Sequence, residues 1–149
     1  MKLGDFGNVE FGEFTNYTIE DFSLFWTMIC RMVEDLDVGA YILAKQRGKD
    51  IGDSLTSDML NLIGPTSDIP TRTPIRGIVN PEVVRDLMRA PIPHSEGAFE
   101  TTARFVNFHV ANMLRDAANR VKSEGSSVIK LRHILPGCEH WPYPLNRYC

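Results

Sequence analysis

The run from Phe99 to Leu135, FETTARFVNFHVANMLRDAANRVKSEGSSVIKLRHIL, constrains the fold more than any other part of the chain. Phe99, Ala103, Val106, Val110, Met113, Leu114, Ala117 and Val121 recur at steps of three and four residues. Glu100, Arg104, Asn107, Arg115, Asn119 and Lys122 fall mostly elsewhere around the turn. This spacing predicts an amphipathic helix about twice the average length of about eleven or twelve residues. Such a helix packs along a partner helix rather than across a small core. Glu124-Gly125-Ser126-Ser127 ends it, because Gly accepts the left-handed conformation at a helix C-terminus. Val128 and Ile129 suit a brief extended segment, flanked by Lys130, Arg132 and His133.

Upstream, Asn80-Pro81-Glu82 is a helix start, with Asn as cap, Pro at the first helical position and Glu on the positive end of the dipole. Val83, Val84, Leu87 and Met88 give this short helix an apolar side, with Arg85 and Arg89 four apart on another. Pro91-Ile92-Pro93 stops it and forces an extended connection into Ser95 and the long helix. A second long amphipathic helix is predicted from Thr18 to Gln46. Its stripe is Phe22, Phe25, Trp26, Ile29, Val33, Leu36, Ala40 and Leu43, and Thr18-x-x-Asp21 is placed as a weak capping box. Gly64 to Pro74, with Pro65, Pro70 and Pro74 and no apolar period, reads as a linker. With 43% hydrophobic residues the chain suffices for one core, and the expected class is all-α.

The segment Ala103–Ile134 resembles the second and third helices of histone two-A. The matching residues are Ala111, Leu114, Ala117, Ala118, Asn119, Ile129, Arg132, His133 and Ile134. In the first half, Met32-Val33-Glu34-Asp35-Leu36 and Ser54-Leu55-Thr56-Ser57-Asp58-Met59-Leu60 are similar, more weakly, to the second helix and following loop of histone two-B. A two-B-like half followed by a two-A-like half is the order of the fused histone doublets of large DNA viruses of the Marseillevirus group, and the chain resembles a shortened member. The resemblance implies two histone-fold halves, each a long helix flanked by short helices and loops, forming an intramolecular pseudo-heterodimer. The divisions are an N-terminal extended segment (1–17), a truncated two-B-like fold (18–63), the linker (64–74), a two-A-like fold (75–135) and a C-terminal tail (136–149).

Departures accompany the resemblance. Where a two-B-like half has a short helix before Thr18, residues 1–17 offer Phe6, Val9, Phe11 and Phe14 on a Gly-rich extended or docking segment. Pro136-Gly137 blocks the rest of the third helix. Asn107, Asn112 and Arg115 stand where the acidic patch of histone two-A carries carboxylates, and Val128 replaces the usual loop arginine before Ile129. No Lys-rich tail stands at either end.

Charge is the main objection to DNA binding, which relies on a basic footprint against phosphates. The chain has 16 basic and 19 acidic residues, net −3. Residues 1–64 hold 5 Lys/Arg against 11 Asp/Glu, and residues 65–149 hold 11 against 8. DNA binding therefore requires clustering, and the candidates are Lys45, Arg47, Lys49, Arg72, Arg76, Arg85, Arg89, Lys122, Lys130 and Arg132. In a head-to-tail helix pair, Lys45–Lys49 and Asp50–Thr56 approach Pro91–Ser95, and Ser123–Arg132 approaches the N-terminal side of Thr18. The resemblance implies that paired loops and first-helix starts hold phosphates, with no base-specific reading. It also implies double-stranded DNA and a histone three/four-like doublet as partners, nucleosome-like packaging, and a location in virion, host nucleus or viral factory.

Blander readings compete. Arg85 and Arg89 equally suit a solvated helix face, Arg104 and Arg115 suit surface or ion-pair roles, and His133 suits a helix start. Trp26 is expected in the core, while Trp141, Tyr143 and Tyr148 suit an interface anchor. Cys138, His140, His133 and Cys149 match no standard zinc spacing, so neither a metal nor a cofactor is expected. Three cysteines and no signal-peptide pattern suit a reducing interior. No apolar run is long enough to span a membrane, and no acid, base and nucleophile set marks an enzyme. The competing function is a histone-fold heterodimerisation module of a transcription or assembly complex with little direct DNA contact.

Overall fold

The computed structural model describes residues 1–7, 9–46, 69, 73–89 and 94–140, and the described chain is mostly helical. Its elements in order are β1 (Thr18–Ile19), α1 (Phe22–Gln46), α2 (Pro81–Leu87), α3 (Glu96–Ser123), β2 (Val128–Ile129) and α4 (Leu131–Ile134). Short 310 turns span Leu3–Phe6 and Gly12–Phe14 at the start, and Leu135–His140 follows α4. Of the proposed linker, Ile69, Thr73 and Pro74 are described, and Ile69 is buried in the core; the two-B-like segment Ser54–Leu60, Pro91-Ile92-Pro93 and Trp141 to Cys149 lie outside the described residues.

Helix α3 is the organising element, packing against α1, α2, α4 and the turn that follows α4. All eight residues of the expected stripe are buried, from Phe99 through Val121. Ser95 starts the helix by accepting the Ala98 amide on its hydroxyl at 3.2 Å. The end is a Schellman turn: Gly125 takes φ +76°, its amide bonds Lys122 O at 3.0 Å, and the Ser126 amide bonds Val121 O at 3.1 Å. Asn80 likewise caps α2, accepting the Val83 amide at 2.9 Å, with Pro81 in the first turn.

Helix α1 begins four residues later than its periodicity predicts. Thr18 and Ile19 are extended and paired in parallel with Val128 and Ile129. The Thr18 amide bonds Ser127 O at 3.0 Å and the Glu20 amide bonds Ile129 O at 2.9 Å. Asp21 caps the helix by itself, accepting the Leu24 amide at 3.2 Å. Thr18 is withdrawn from any capping box because its backbone is committed to the strand. The predicted approach of 123–132 to Thr18 is thus realised as main-chain pairing. Along α1, Phe25, Ile29, Val33, Leu36 and Ala40 are buried together with Met28 and Met32. Trp26 is only half-buried and stacks on exposed Phe22 with centroids 6.1 Å apart, so the two form the rim of the core rather than its interior.

Residues 1–17 are more than an extended docking segment. Their two 310 turns bury Leu3, Phe6, Val9, Phe11 and Phe14 in the same core cluster as the long helices. Burying a side chain of this size is worth about 1.5–3 kcal/mol, which makes the segment part of the core. Residues Met1 to Leu3 also flank β1 on the side away from β2, with Leu3 donating to Tyr17 O and Ile19 to Met1 O, both at 2.9 Å. After α4 the chain tightens into a 310 turn at Leu135, where Pro136 removes an amide donor. A Cβ on Gly137 would stand 2.9 Å from Met113 Cγ, so this turn lies flush on α3.

Candidate nucleic-acid interface

The candidate cations fall into two groups set by the helix ends. The first surrounds the β1–β2 pair. Lys122, in the last turn of α3, bonds Glu13 at 3.0 Å. Lys130 is exposed between β2 and α4. Arg132, on α4, reaches Glu124 at 3.2 Å. Glu124 also accepts His133 Nε2 at 2.7 Å, while His133 Nδ1 accepts the Lys130 amide at 2.9 Å. The amide bond leaves the proton on Nε2, where it points at the carboxylate. His133 is therefore a buried helix-start residue that ties α4 to the end of α3. Its hydrogen bond, followed by that of Arg132, holds Glu124 below the usual carboxylate range.

The second group lies on and beside α2. Arg76 forms a fork on Glu82, one arm at 2.9 Å, which lowers the Glu82 pKa and raises that of the guanidinium. Arg85 pairs with Glu96 at the first position of α3, and its guanidinium stands 5.2 Å from the centroid of Phe99. Arg89 is exposed, but its amide donates at 2.7 Å to Asp37 of α1, which is 3% exposed. The same carboxylate bonds His94 Nε2 at 3.0 Å, and the His94 ring stacks on Phe99. One buried acid of α1 thus grips both described ends of the connection between α2 and α3. Lys45, in the last turn of α1, lies over the Tyr41 ring at 5.5 Å. Arg47, Lys49 and Arg72 lie outside the described residues.

Arg104 and Arg115, expected as surface or ion-pair residues, bond to carbonyl oxygens. Arg104 Nε donates to Thr73 O at 3.1 Å, and Arg115 donates to Glu10 O at 3.0 Å while standing 5.6 Å from the Phe11 ring centroid. Asn107 departs furthest from its expected place on a patch. It is 1% exposed, accepts the Val79 amide at 2.8 Å, and donates to Pro74 O and Val79 O at 3.1 Å each. It pins the 74–79 segment, and hence Arg76, to α3. Asn112 is exposed as a patch residue would be. Val128, in place of the loop arginine, is 37% exposed beside Thr18.

Periodicity gave no signal for Glu13, Glu82, Glu96 and Glu124 as partners of the candidate cations, because three of these pairs join residues eight or more positions apart. Asp37 and His94 were also missed, lying 57 positions apart. Elsewhere on α3, burial pushes the His109 imidazole down to about 4 beside Phe105 and Phe108. Among the described residues no three His, Cys, Asp or Glu side chains converge to hold a metal ion. No described helix is long and apolar enough to cross a membrane. Compared with known protein families, characterised proteins and solved structures, the chain shows no match.

Proposed function

We propose that the chain is a structural DNA-packaging protein: a fused pair of histone folds, two-B-like then two-A-like. In this reading it closes on itself as a pseudo-dimer and assembles with a histone three/four-like partner around double-stranded DNA. The observation that carries the reading is the parallel pairing of Thr18-Ile19 with Val128-Ile129. It joins the segment before the first long helix to the segment after the second, the contact that a head-to-tail pair of helix–loop–helix units requires. The grip of Asp37, in the C-terminal half of α1, on Arg89 and His94 just before α3 supports the same antiparallel crossing of the two long helices. The phosphate contacts are then sequence-independent and come from the loop ends and from α2.

Neutralised cations and the 310 turn after α4 favour loosely held DNA ends. Nuclease digestion of particles reconstituted with a histone three/four-like partner is expected to protect clearly less than the about 147 base pairs of an ordinary nucleosome. Full-length protection would refute the looseness. A second reading, a heterodimerisation module with little DNA contact, is favoured by the pairing of Arg76, Arg85, Lys122 and Arg132 with carboxylates. Absence of DNA binding, alone and with the partner, would select it.

A further inference from the structure

Four of the seven described candidate cations carry a carboxylate partner: Arg76 with Glu82, Arg85 with Glu96, Lys122 with Glu13 and Arg132 with Glu124. None of these pairs lies within a single helix. Each joins two segments of the fold: the strand of chain before α2 to α2, α2 to α3, α3 to the second N-terminal turn, and the end of α3 to α4. The tertiary structure has therefore brought a carboxylate to each cation. The paired side chains remain between 43% and 66% exposed, so both partners stay in contact with solvent.

We infer that these four glutamates are built-in competitors for phosphate, and that this chain binds DNA by exchanging carboxylate for phosphate at each of the four paired cations. The inference rests on the DNA-packaging reading. A carboxylate oxygen and a phosphate oxygen offer a guanidinium or ammonium the same acceptor chemistry, and the fork of Arg76 on Glu82 is the one Arg uses on phosphate. Exposed ion pairs are individually weak, so duplex DNA can displace them. The consequence lies in the ion balance. When phosphate takes a free cation, DNA releases a counterion and solution gains it. When phosphate takes a cation from glutamate, the abandoned carboxylate gathers screening cations of its own, which offsets part of that release. Lys45, Arg89 and Lys130, which have no carboxylate partner among the described residues, contribute fully to the salt dependence, and the four paired cations contribute less.

The test is a salt titration of binding to a short random-sequence DNA duplex by the full chain. It uses the wild type, the quadruple variant Glu13→Gln, Glu82→Gln, Glu96→Gln, Glu124→Gln, and a charge-matched control. The control is Glu20→Gln, Asp86→Asn, Glu100→Gln, Asp116→Asn, which neutralises four exposed acids outside the four ion pairs. Each freed cation steepens the slope of log affinity against log salt by up to about 0.9, so the quadruple variant is expected to be steeper than the wild type by up to about 3.6. Between about 50 and 200 mM salt it should lose up to about a hundredfold more affinity than the wild type loses. The control, with the same change in net charge, should keep the wild-type slope. Equal slopes in wild type and quadruple variant, or equal steepening in the control, would overturn the inference while leaving the packaging reading intact. No binding by any of the three proteins, alone or with a histone three/four-like partner, would overturn both. Should the loss of Glu124, which also holds His133, unfold the quadruple variant, the triple variant that keeps Glu124 carries the same test with an expected steepening of up to about 2.7.

Discussion

Replacing Asn107 with Ala should be among the most damaging single polar changes in α3. The side chain satisfies three backbone groups of the 74–79 segment: the Val79 amide at 2.8 Å and the Pro74 and Val79 carbonyls at 3.1 Å. The Val79 carbonyl keeps a second partner, the Gly77 amide at 3.0 Å, so its loss is partial. The Val79 amide sits on a residue only 1% exposed and would be left without its acceptor. A stranded buried donor costs about 1–3 kcal/mol, and a net hydrogen bond to the Pro74 carbonyl about 1 kcal/mol more. The expected loss is about 2–4 kcal/mol, which for a chain of this size lowers the melting temperature by about 5–15 °C. Asn112→Ala is the control: the same residue type on the same helix, exposed, with an expected effect within about 0.5 kcal/mol. The assay is urea unfolding followed by far-UV circular dichroism, with both variants compared at constant m-value. If Asn107→Ala and Asn112→Ala lose the same small amount, Asn107 does not hold the segment and the hydrogen-bond reasoning fails. Asn107→Asp should be at least as damaging as alanine, since two carbonyls would then face a buried carboxylate.

Burial holds His109 at about 4, below its ordinary value of about 6.5, so the unfolded chain binds a proton that the folded chain refuses. The stability contributed is complete above about pH 6.5 and is lost as pH falls toward 4. Discounted for partial exposure of the ring, the loss between about pH 8 and 5 is about 1 kcal/mol. His109→Gln should lack this increment when urea midpoints are compared at the two pH values, and an unchanged pH dependence would refute the assignment. Asp37→Ala removes the acceptor of the Arg89 amide and of His94 and should cost about 2–4 kcal/mol, with Asp37→Asn costing less because one acceptor oxygen remains. Hydrogen exchange of the Arg89 amide should accelerate in Asp37→Ala; exchange at the wild-type rate would show that the carboxylate does not hold it.

The amino-acid sequence by itself determined the two long helices and most of their punctuation. Apolar steps of three and four select the buried stripe of α3, Asn80-Pro81 starts α2, and Gly125 stops α3, because each acts through forces between residues within a turn of one another. Tertiary structure alone decided the rest. Thr18 carries an acceptable capping pattern, yet it becomes a strand because Ser127 and Ile129 offer main-chain partners about 110 residues away. Asn107 has the polarity of a surface residue and is buried because the 74–79 segment needs its donors and acceptor. Phe6, Phe11 and Phe14 carry no helical period and enter the core through 310 turns whose only visible cue was their hydrophobicity. The same division holds at the candidate interface. The basic residues are legible one by one, but whether each faces solvent alone or a carboxylate from another element depends on distances between segments that no local spacing encodes.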